Sequence, residues 1–470
     1  MTRSFFVITL CVTTLYATPL FAAPEPLQLQ VEAKLAEMGP GARFGLIVTD
    51  ADGHEIITIA PNDRFIPASN TKMFTVAAAL ATLPGIDRLD VDGGASVRLE
   101  GRDVVLSGNG DARLSSASDC TTNCLATLAD AIAAKTRRVR DVIGDATRFI
   151  DRRWSYGMSW NNVAERSGTG VAALSLDSNQ LALVVTPGAI EKRPTVMASP
   201  YLAIDNRAVT VASGPTTLDV TRLPFERTVR LTGQIAAGAA PDTTWLGIDD
   251  PAHFAAWRLS QMLVERRVRI TGTLRTRYRI EGDPLPATAG EPLARLTPPP
   301  LLDDLSTIDK VSQNLHAELL LRRVGAAGAD PSVAGGLQAV QVMLTGAGVP
   351  RTGYDFADGS GMSTYNRVAP RAMIAFLRWT TTQPWSGRFR ATLSVGGVDG
   401  TIARRFIGTP LAGKVYAKTG GLNATNALSG WLTAKSGREL TFAFFANDVP
   451  EAQRAIPVID AVLNLVAAAN

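Results

Sequence analysis

Ile66-Pro67-Ala68-Ser69-Asn70-Thr71-Lys72-Met73-Phe74 decides how the rest of this chain is read. The run that follows, Thr75-Val76-Ala77-Ala78-Ala79-Leu80-Ala81-Thr82-Leu83, is rich in helix formers, and Pro67 and Ser69 are helix-start signals. The spacing predicts a helix beginning near Ser69. Residues three apart share a helix face, so Ser69 and Lys72 point the same way. That places a nucleophile beside a potential base. Lysine is scarce in this chain: only 8 of the 47 basic residues are Lys, the rest Arg. Arg stays charged at any working pH, whereas a buried Lys can lose its proton. A Lys at this spot therefore points to base chemistry.

Working outward, 44–49 and 55–59 flank Asp50-Ala51-Asp52-Gly53, the pattern of a β-hairpin with an Asp-Gly turn. Far along the chain, 427–433 and 439–445 form a second hairpin pattern around Ala434 to Arg438, followed by a helical tail from Glu451. Two hairpins from opposite ends predict one antiparallel sheet flanked by helices, an α/β (α+β) catalytic domain. Between them, around 96–105 and 208–231, short β-rich runs alternate with Gly, Pro and Thr. Asp250-Pro251 opens a helix over 252–266, with an N-cap and a proline in the first turn. Pro284, Pro286 and Pro298-Pro299-Pro300 mark a return linker. The expected organisation is a catalytic domain in two pieces, 24–93 and 289–470, split by a β-rich insertion, 94–288, of one or two subdomains.

Composition sets the class. Hydrophobic content of 46% with 19% charged residues describes a globular chain. The net charge of +4 is small and unclustered, which excludes a nucleic-acid footprint and allows only weak peripheral attraction to a membrane or cell wall. Residues 1–23 read as a secretory signal peptide: Arg3, an apolar run from Phe5 to Leu15, and small residues toward Ala22 and Ala23. That run is too short to span a bilayer, so an exported, periplasmic protein is expected. Cys120 and Cys124 then remain, and in an oxidising compartment they can pair around a very short loop. A metal site is not expected, because two thiols lack nearby His partners.

Ser-x-x-Lys gains weight from two partners in order. Ser-x-Asn occurs three times. Ser107-Gly108-Asn109 reads as a turn, Ser159-Trp160-Asn161 as a loop, and only Ser312-Gln313-Asn314 leads into a firm helix from Leu315. Such a turn can hold a hydroxyl and an amide fixed for proton shuttling. Lys-Thr/Ser-Gly occurs twice. Lys435-Ser436-Gly437 fills a hairpin turn, whereas Lys418-Thr419-Gly420-Gly421 can lie on an edge strand and line a cleft, so Lys418 is the candidate.

These three motifs are the signature of penicillin-binding proteins and class A β-lactamases. The set resembles more closely the D-alanyl-D-alanine carboxypeptidases/endopeptidases of the class C low-molecular-mass penicillin-binding proteins. Gly108-Asn109-Gly110-Asp111, Asp358-Gly359-Ser360-Gly361-Met362-Ser363 and Asn366-Arg367-Val368-Ala369-Pro370 add further matches. The long interval from Ser69 to Ser312 also resembles this family, which carries its extra domains there. The resemblance implies a β-lactamase/transpeptidase-like catalytic domain, no cofactor, and peptidoglycan stem peptides and β-lactam antibiotics as partners. It implies that Ser69 forms the acyl-enzyme, Lys72 takes its proton, and Ser312 relays a proton to the departing D-alanine. Asn314 would bond substrate amides, Lys418 supply positive charge, and Thr419 and Gly420 bind the terminal carboxylate end. Backbone N–H groups of Ser69 and Gly421 would form the oxyanion hole.

Two departures stand out. Gln313 replaces the usual Asp of Ser-Asp-Asn, at a position that points away from the chemistry in relatives. Thr364 replaces an Arg thought to hold the diaminopimelate carboxylate, which implies weak stem-peptide discrimination, with Arg367 the nearest substitute. Of the rivals, a Ser-His-Asp hydrolase has only His54, His253 and His316 to draw on and no Gly-x-Ser-x-Gly elbow. His316 is expected on the helix surface or in a polar contact. A β-lactamase would share the motifs but normally lacks so long an insertion. A non-catalytic peptidoglycan-binding homologue would tolerate loss of Ser69 or Lys72.

Overall fold

In the computed structural model, residues 26–286 and 290–470 are described. The leader expected over 1–23 lies outside them. α1 (Leu27–Ala36) precedes β1 (Arg43–Thr49) and β2 (Glu55–Ile59). Their turn closes where Asp50 Oδ1 accepts from Gly53 N and His54 N, each at 2.9 Å, and Gly53 takes the left-handed φ of +96° that favours glycine. α2 (Thr71–Thr82) follows.

The insertion contributes β3 (Ser96–Glu100), β4 (Asp103–Ser107), α3 (Leu125–Lys135), β5 (Val142–Ile150), α4 (Pro251–Glu265), β6 (Leu274–Arg279) and β7 (Ala294–Arg295). Its five-stranded sheet runs β6-β5-β4-β3-β7, and smaller two- and three-stranded sheets lie between β5 and α4. Pro251 occupies the first turn of α4, and the Asp250 side chain accepts from His253 N, as the sequence predicts. Cys120 and Cys124 are disulfide-bonded, their Cα atoms 5.8 Å apart.

The chain returns through α5 (Leu301–Lys310), α6 (Asn314–Ala327), α7 (Val333–Gly346), α8 (Pro370–Thr381) and α9 (Ser386–Thr392). It then lays down β8 (Ser394–Val395), β9 (Val415–Leu422), β10 (Thr425–Thr433) and β11 (Glu439–Asn447), and ends in α10 (Ala455–Ala469). Both hairpins join one antiparallel six-stranded sheet ordered β2-β1-β11-β10-β9-β8. The two chain ends meet at β1 and β11, where Arg43 faces Asn447 and Thr49 faces Thr441.

Side chains alternate across a strand, and β11 feeds two cores. Phe442 and Phe444 pack with α1 and α10 on one face, while Ala443 and Phe445 join α2 and the helices around it on the other. Buried apolar residues of the insertion form a single cluster that also takes in Leu315 and Leu319 of α6.

One boundary needs correction. Ala294 faces Val97, Arg295 faces Ser96, and Leu296 is buried in the insertion's core, so the chain leaves the insertion after 296 and not at 289. The physical reason is edge closure: β7 covers the open flank of β3. Of the prolines expected to mark the return, only Pro298-Pro299-Pro300 lie beyond it.

Candidate active site

The helix carrying Lys72 is apolar and buried nearly all round. Met73, Phe74, Val76, Ala77, Ala78 and Ala79 are buried, and the Phe74 ring packs against Phe356 and Phe376 with centroids 4.8 and 4.3 Å away. Each large apolar side chain buried this way stabilises the fold by about 1.5–3 kcal/mol. One 3-10 turn, Ala68–Asn70, feeds into it, so Ser69 sits just ahead of α2 rather than inside it. Ala68 is held at φ +46°, a strained conformation for a residue with a Cβ. Two glycines let the backbone close in on this turn. A Cβ on Gly361 would lie 1.9 Å from Ala68 O, and one on Gly420 would lie 2.4 Å from Pro67 O. Asn70, fully buried, donates from Nδ2 to Lys418 O at 2.8 Å and pins the turn to β9.

Lys72 is 0% exposed, and its Nζ lies 2.9 Å from Ser69 Oγ, 2.6 Å from Asn314 Oδ1 and 2.5 Å from Ser360 O. Burial, reinforced by the charge of Lys418, brings its pKa down to about 7, against opposing pulls from Asp358, Asp309 and Glu318. An ammonium can donate to all three oxygens, and the neutral amine fits the same contacts. Its two N–H bonds can go to Asn314 Oδ1 and Ser360 O, which leaves its lone pair facing the Ser69 hydroxyl. The Ser360 carbonyl is delivered by a fixed loop: Glu318 Oε1 accepts from Gly359 N at 3.0 Å and Ser360 N at 2.9 Å, and Glu318 Oε2 pairs with Arg322 at 2.8 Å.

Lys418 is likewise 0% exposed, and its Nζ donates to Ser312 Oγ at 3.0 Å and Thr419 O at 3.1 Å. Burial lowers its pKa to about 8, with Asp309 acting to raise it. Thr419 Oγ1 reaches Thr401 Oγ1 at 2.8 Å. Ser312 takes a left-handed φ of +63°, just before α6 begins at Asn314. Gln313 Oε1 accepts from Leu315 N at 3.2 Å and caps that helix, so its side chain serves the fold.

The structure thus brings together Ser69, Lys72, Ser312, Asn314 and Lys418, with Thr419, Gly420 and Gly421 continuing along the same strand. The rejected triplets lie elsewhere. Lys435 is exposed in the turn between β10 and β11, Asn109 donates to Gly94 O at 2.9 Å, and Ser159 to Asn161 are exposed. Of the two places expected for His316 the structure shows the polar contact: it is buried, with Nδ1 3.2 Å from Asp304 Oδ1. Thr364 donates through both N and Oγ1 to Gly157 O at 2.9 Å. Arg367 is turned onto the carbonyls of Thr364 and Asn366.

Two contacts escaped sequence reasoning. Ser360 acts through its carbonyl, and Ser167 O accepts from Asn314 Nδ2 at 2.8 Å, which ties the amide to the insertion. The Asp358-Gly359-Ser360-Gly361 motif was the available signal for the first; Ser167 offers none.

Known proteins resemble this chain over most of its length. Residues 27–467 match the D-Ala-D-Ala carboxypeptidase 3 (S13) family. A D-alanyl-D-alanine carboxypeptidase of Actinomadura sp. (strain R39) is 34% identical over 432 residues, 87% of this chain and 78% of that one. The D-alanyl-D-alanine carboxypeptidase DacB of Haemophilus influenzae is 26% identical, over 91% of this chain and 90% of its own. The crystal structure of penicillin-binding protein 4 (dacB) from Haemophilus influenzae superposes with a TM-score of 0.78 at 22% identity, covering 93% of this chain and 98% of that chain. The same protein complexed with a β-lactam gives a TM-score of 0.72.

Proposed function

The chain belongs to the D-Ala-D-Ala carboxypeptidase 3 (S13) family, and from that premise we propose how its residues carry out the reaction. It is a serine-type carboxypeptidase of peptidoglycan stem peptides. The observation that carries the site assignment is the 2.9 Å approach of Lys72 Nζ to Ser69 Oγ, in a pocket that brings its pKa to about 7.

Ser69 Oγ attacks the carbonyl carbon between the two D-alanines while Lys72 Nζ takes the hydroxyl proton. The oxyanion is received by the N–H groups of Ser69 and Gly421, the latter next to the Gly420 contact with the nucleophile turn. The C–N bond then breaks as the D-alanine nitrogen takes the hydroxyl proton of Ser312. The proton Lys72 removed from Ser69 replaces it, so Lys72 is neutral again while Lys418, 3.0 Å from Ser312 Oγ, keeps its charge. Water then attacks the ester, giving a proton to Lys72, which passes it to Ser69 Oγ as the acyl–oxygen bond breaks. Asn314 fixes Lys72 through Oδ1 and, once substrate enters, exchanges its Ser167 contact for a substrate amide. Lys418 and Thr419 face the substrate's terminal carboxylate.

The proposal extends to endopeptidase cleavage of cross-linked peptides, to export into the periplasm by residues 1–23, and to weak peripheral attachment there. It takes residues before 94 and after 296 as the catalytic unit. Benzylpenicillin tests the assignment: intact-mass spectrometry should show one adduct on the wild-type protein and none on Ser69→Ala. A wild-type mass unchanged after long incubation rejects it.

A further inference from the structure

One face of the insertion's five-stranded sheet carries a row of polar residues that the mechanism above leaves unused. Residues directly opposite each other on neighbouring strands share a face of the sheet. Here they line up across all five strands: Arg295 of β7 faces Ser96 of β3, Ser96 faces Ser107 of β4, Ser107 faces Asp145 of β5, and Asp145 faces Arg277 of β6. Arg98, two residues on from Ser96, shares that face because side chains alternate along a strand. The opposite face, with Val97, Leu106 and Ala146, is packed into the insertion's core.

The polar row is not an ordinary solvated face. All of it, with Arg98, lines a cavity of about 170 Å³ that Leu285 and Pro286 help to wall. One water needs roughly 10–15 Å³, so the space suits a larger group. Ser96, Arg98 and Asp145 are only 6, 8 and 8% exposed. Asn109, from the Gly108-Asn109-Gly110-Asp111 motif, adds an amide to the lining and is held by its bond to Gly94 O at 2.9 Å. Ion pairing accounts for part of the charge. Arg98 Nη2 lies 2.7 Å from Glu100 Oε1 and 3.3 Å from Asp145 Oδ2, and Arg277 Nη2 lies 2.6 Å from Glu100 Oε2. Arg148 and Arg295 also line the cavity, and their guanidinium groups have no partner among the described residues. Four guanidinium groups thus meet two carboxylates, and two positive charges are left unmatched. Tying the strands together explains Arg98 and Arg277 but not Arg148 or Arg295.

We propose that this cavity binds a phosphate monoester group, carried on a soluble ester or on a lipid headgroup. None of its residues belongs to the catalytic set, so the site stands independently of the reaction assigned to Ser69. Its donors come from separate strands, with Arg277 and Arg295 on the two edge strands and Arg98 and Arg148 on strands between them. A carboxylate offers two oxygens in one plane, which a single guanidinium satisfies. A phosphate offers three oxygens around a tetrahedron and can be met from several sides at once. At pH 7 it carries about −1.5 to −2 charges, which the two unmatched guanidinium groups balance. Arginine suits the task better than lysine, because its planar fork bonds phosphate oxygens in pairs.

The experiment titrates the full chain with inorganic phosphate by calorimetry, in sodium chloride at about 0.15 M so that diffuse surface attraction is screened. The wild type should take up one phosphate per chain, saturably. Arg148→Gln with Arg295→Gln removes two charge-assisted contacts and should weaken that binding at least about tenfold, with the circular dichroism spectrum unchanged. Arg193→Gln with Arg404→Gln removes the same net charge from exposed positions outside the cavity and should leave the affinity as it is. No saturable uptake by the wild type overturns the proposal. So does an affinity unchanged in the folded Arg148/Arg295 variant, or an equal loss in the Arg193/Arg404 variant, which would make net charge the cause. If the double variant does not fold, Arg148→Gln and Arg295→Gln are titrated singly, each expected to weaken binding at least about threefold. Unchanged affinity in both then overturns the proposal. Phosphatidylcholine vesicles with and without phosphatidic acid separate the two sources. Co-sedimentation that needs phosphatidic acid and is lost in the variant supports a lipid headgroup; uptake of inorganic phosphate without co-sedimentation supports a soluble ester.

Discussion

Lys72 is defined by what its nitrogen must be able to lose. Arg in its place would keep the charge and keep its protons, so Lys72→Arg should be nearly as damaging as Lys72→Ala. Both should slow penicillin acylation by at least about a hundredfold, the lower end of what a positioned base contributes. Lys435→Ala should leave the rate within about twofold, since that side chain lies exposed in a hairpin turn. Acylation lost in Lys435→Ala but kept in Lys418→Ala would reverse the choice between the two triplets. Thr364 governs a different property. Its hydroxyl and amide are both spent on Gly157 O and it carries no charge, while Arg367 commits Nη1 to the carbonyls of Thr364 and Asn366. Stem peptides bearing diaminopimelate or lysine should therefore differ in kcat/KM by less than about tenfold, or about 1.4 kcal/mol. Thr364→Arg should raise the preference for diaminopimelate. A hundredfold preference in the unmodified enzyme would contradict this.

At the scale of elements, the site depends on two loops pressed against the nucleophile turn. Gly361→Ala places a methyl 1.9 Å from Ala68 O at a φ of +86°, so either the turn or the loop must shift. A displacement of this kind beside the reacting atoms should cost at least about tenfold in acylation rate, beyond any fall in Tm. An acylation rate equal to wild type would show the turn to be more yielding than its packing implies. The elements were legible in the sequence where the signal is local. The Asp50–Gly53 turn, the apolar run after Lys72 and the capped helix at Asp250 each announce themselves within a few residues. Ser312 was separable from its two decoys because only it leads into a helix. The misplaced return at 289 has an equally plain cause: β7 is two residues long and recognisable only by its pairing with β3. Ser360 and Ser167 act through carbonyl oxygens, which every residue carries, so residue type says nothing of them.

Over the whole molecule, two buried lysines make stability depend on pH. Unfolded Lys72 titrates near 10.5 and folded Lys72 at about 7, so between these values the unfolded chain holds more protons and stability rises with pH. Asp309 and Asp358, both raised to about 6 chiefly by burial, titrate below that window. Lys72→Met should therefore raise Tm at pH 7, and its advantage over wild type should shrink by up to about 1.4 kcal/mol per unit toward pH 9. An advantage that stays constant with pH would mean that the folded lysine keeps its proton. The pairing of β1 with β11 carries a further consequence, one of timing. A chain is made from its N-terminus, and domains form as their parts emerge. Ser69 and Lys72 come early, but β11 is the strand that fills the gap between β1 and β10 and so joins β9, which bears Lys418, to the first hairpin in one sheet. A nascent chain not yet extended past Asn447 holds its nucleophile with no closed sheet behind it. Acylation by penicillin is therefore expected only of chains that extend past β11.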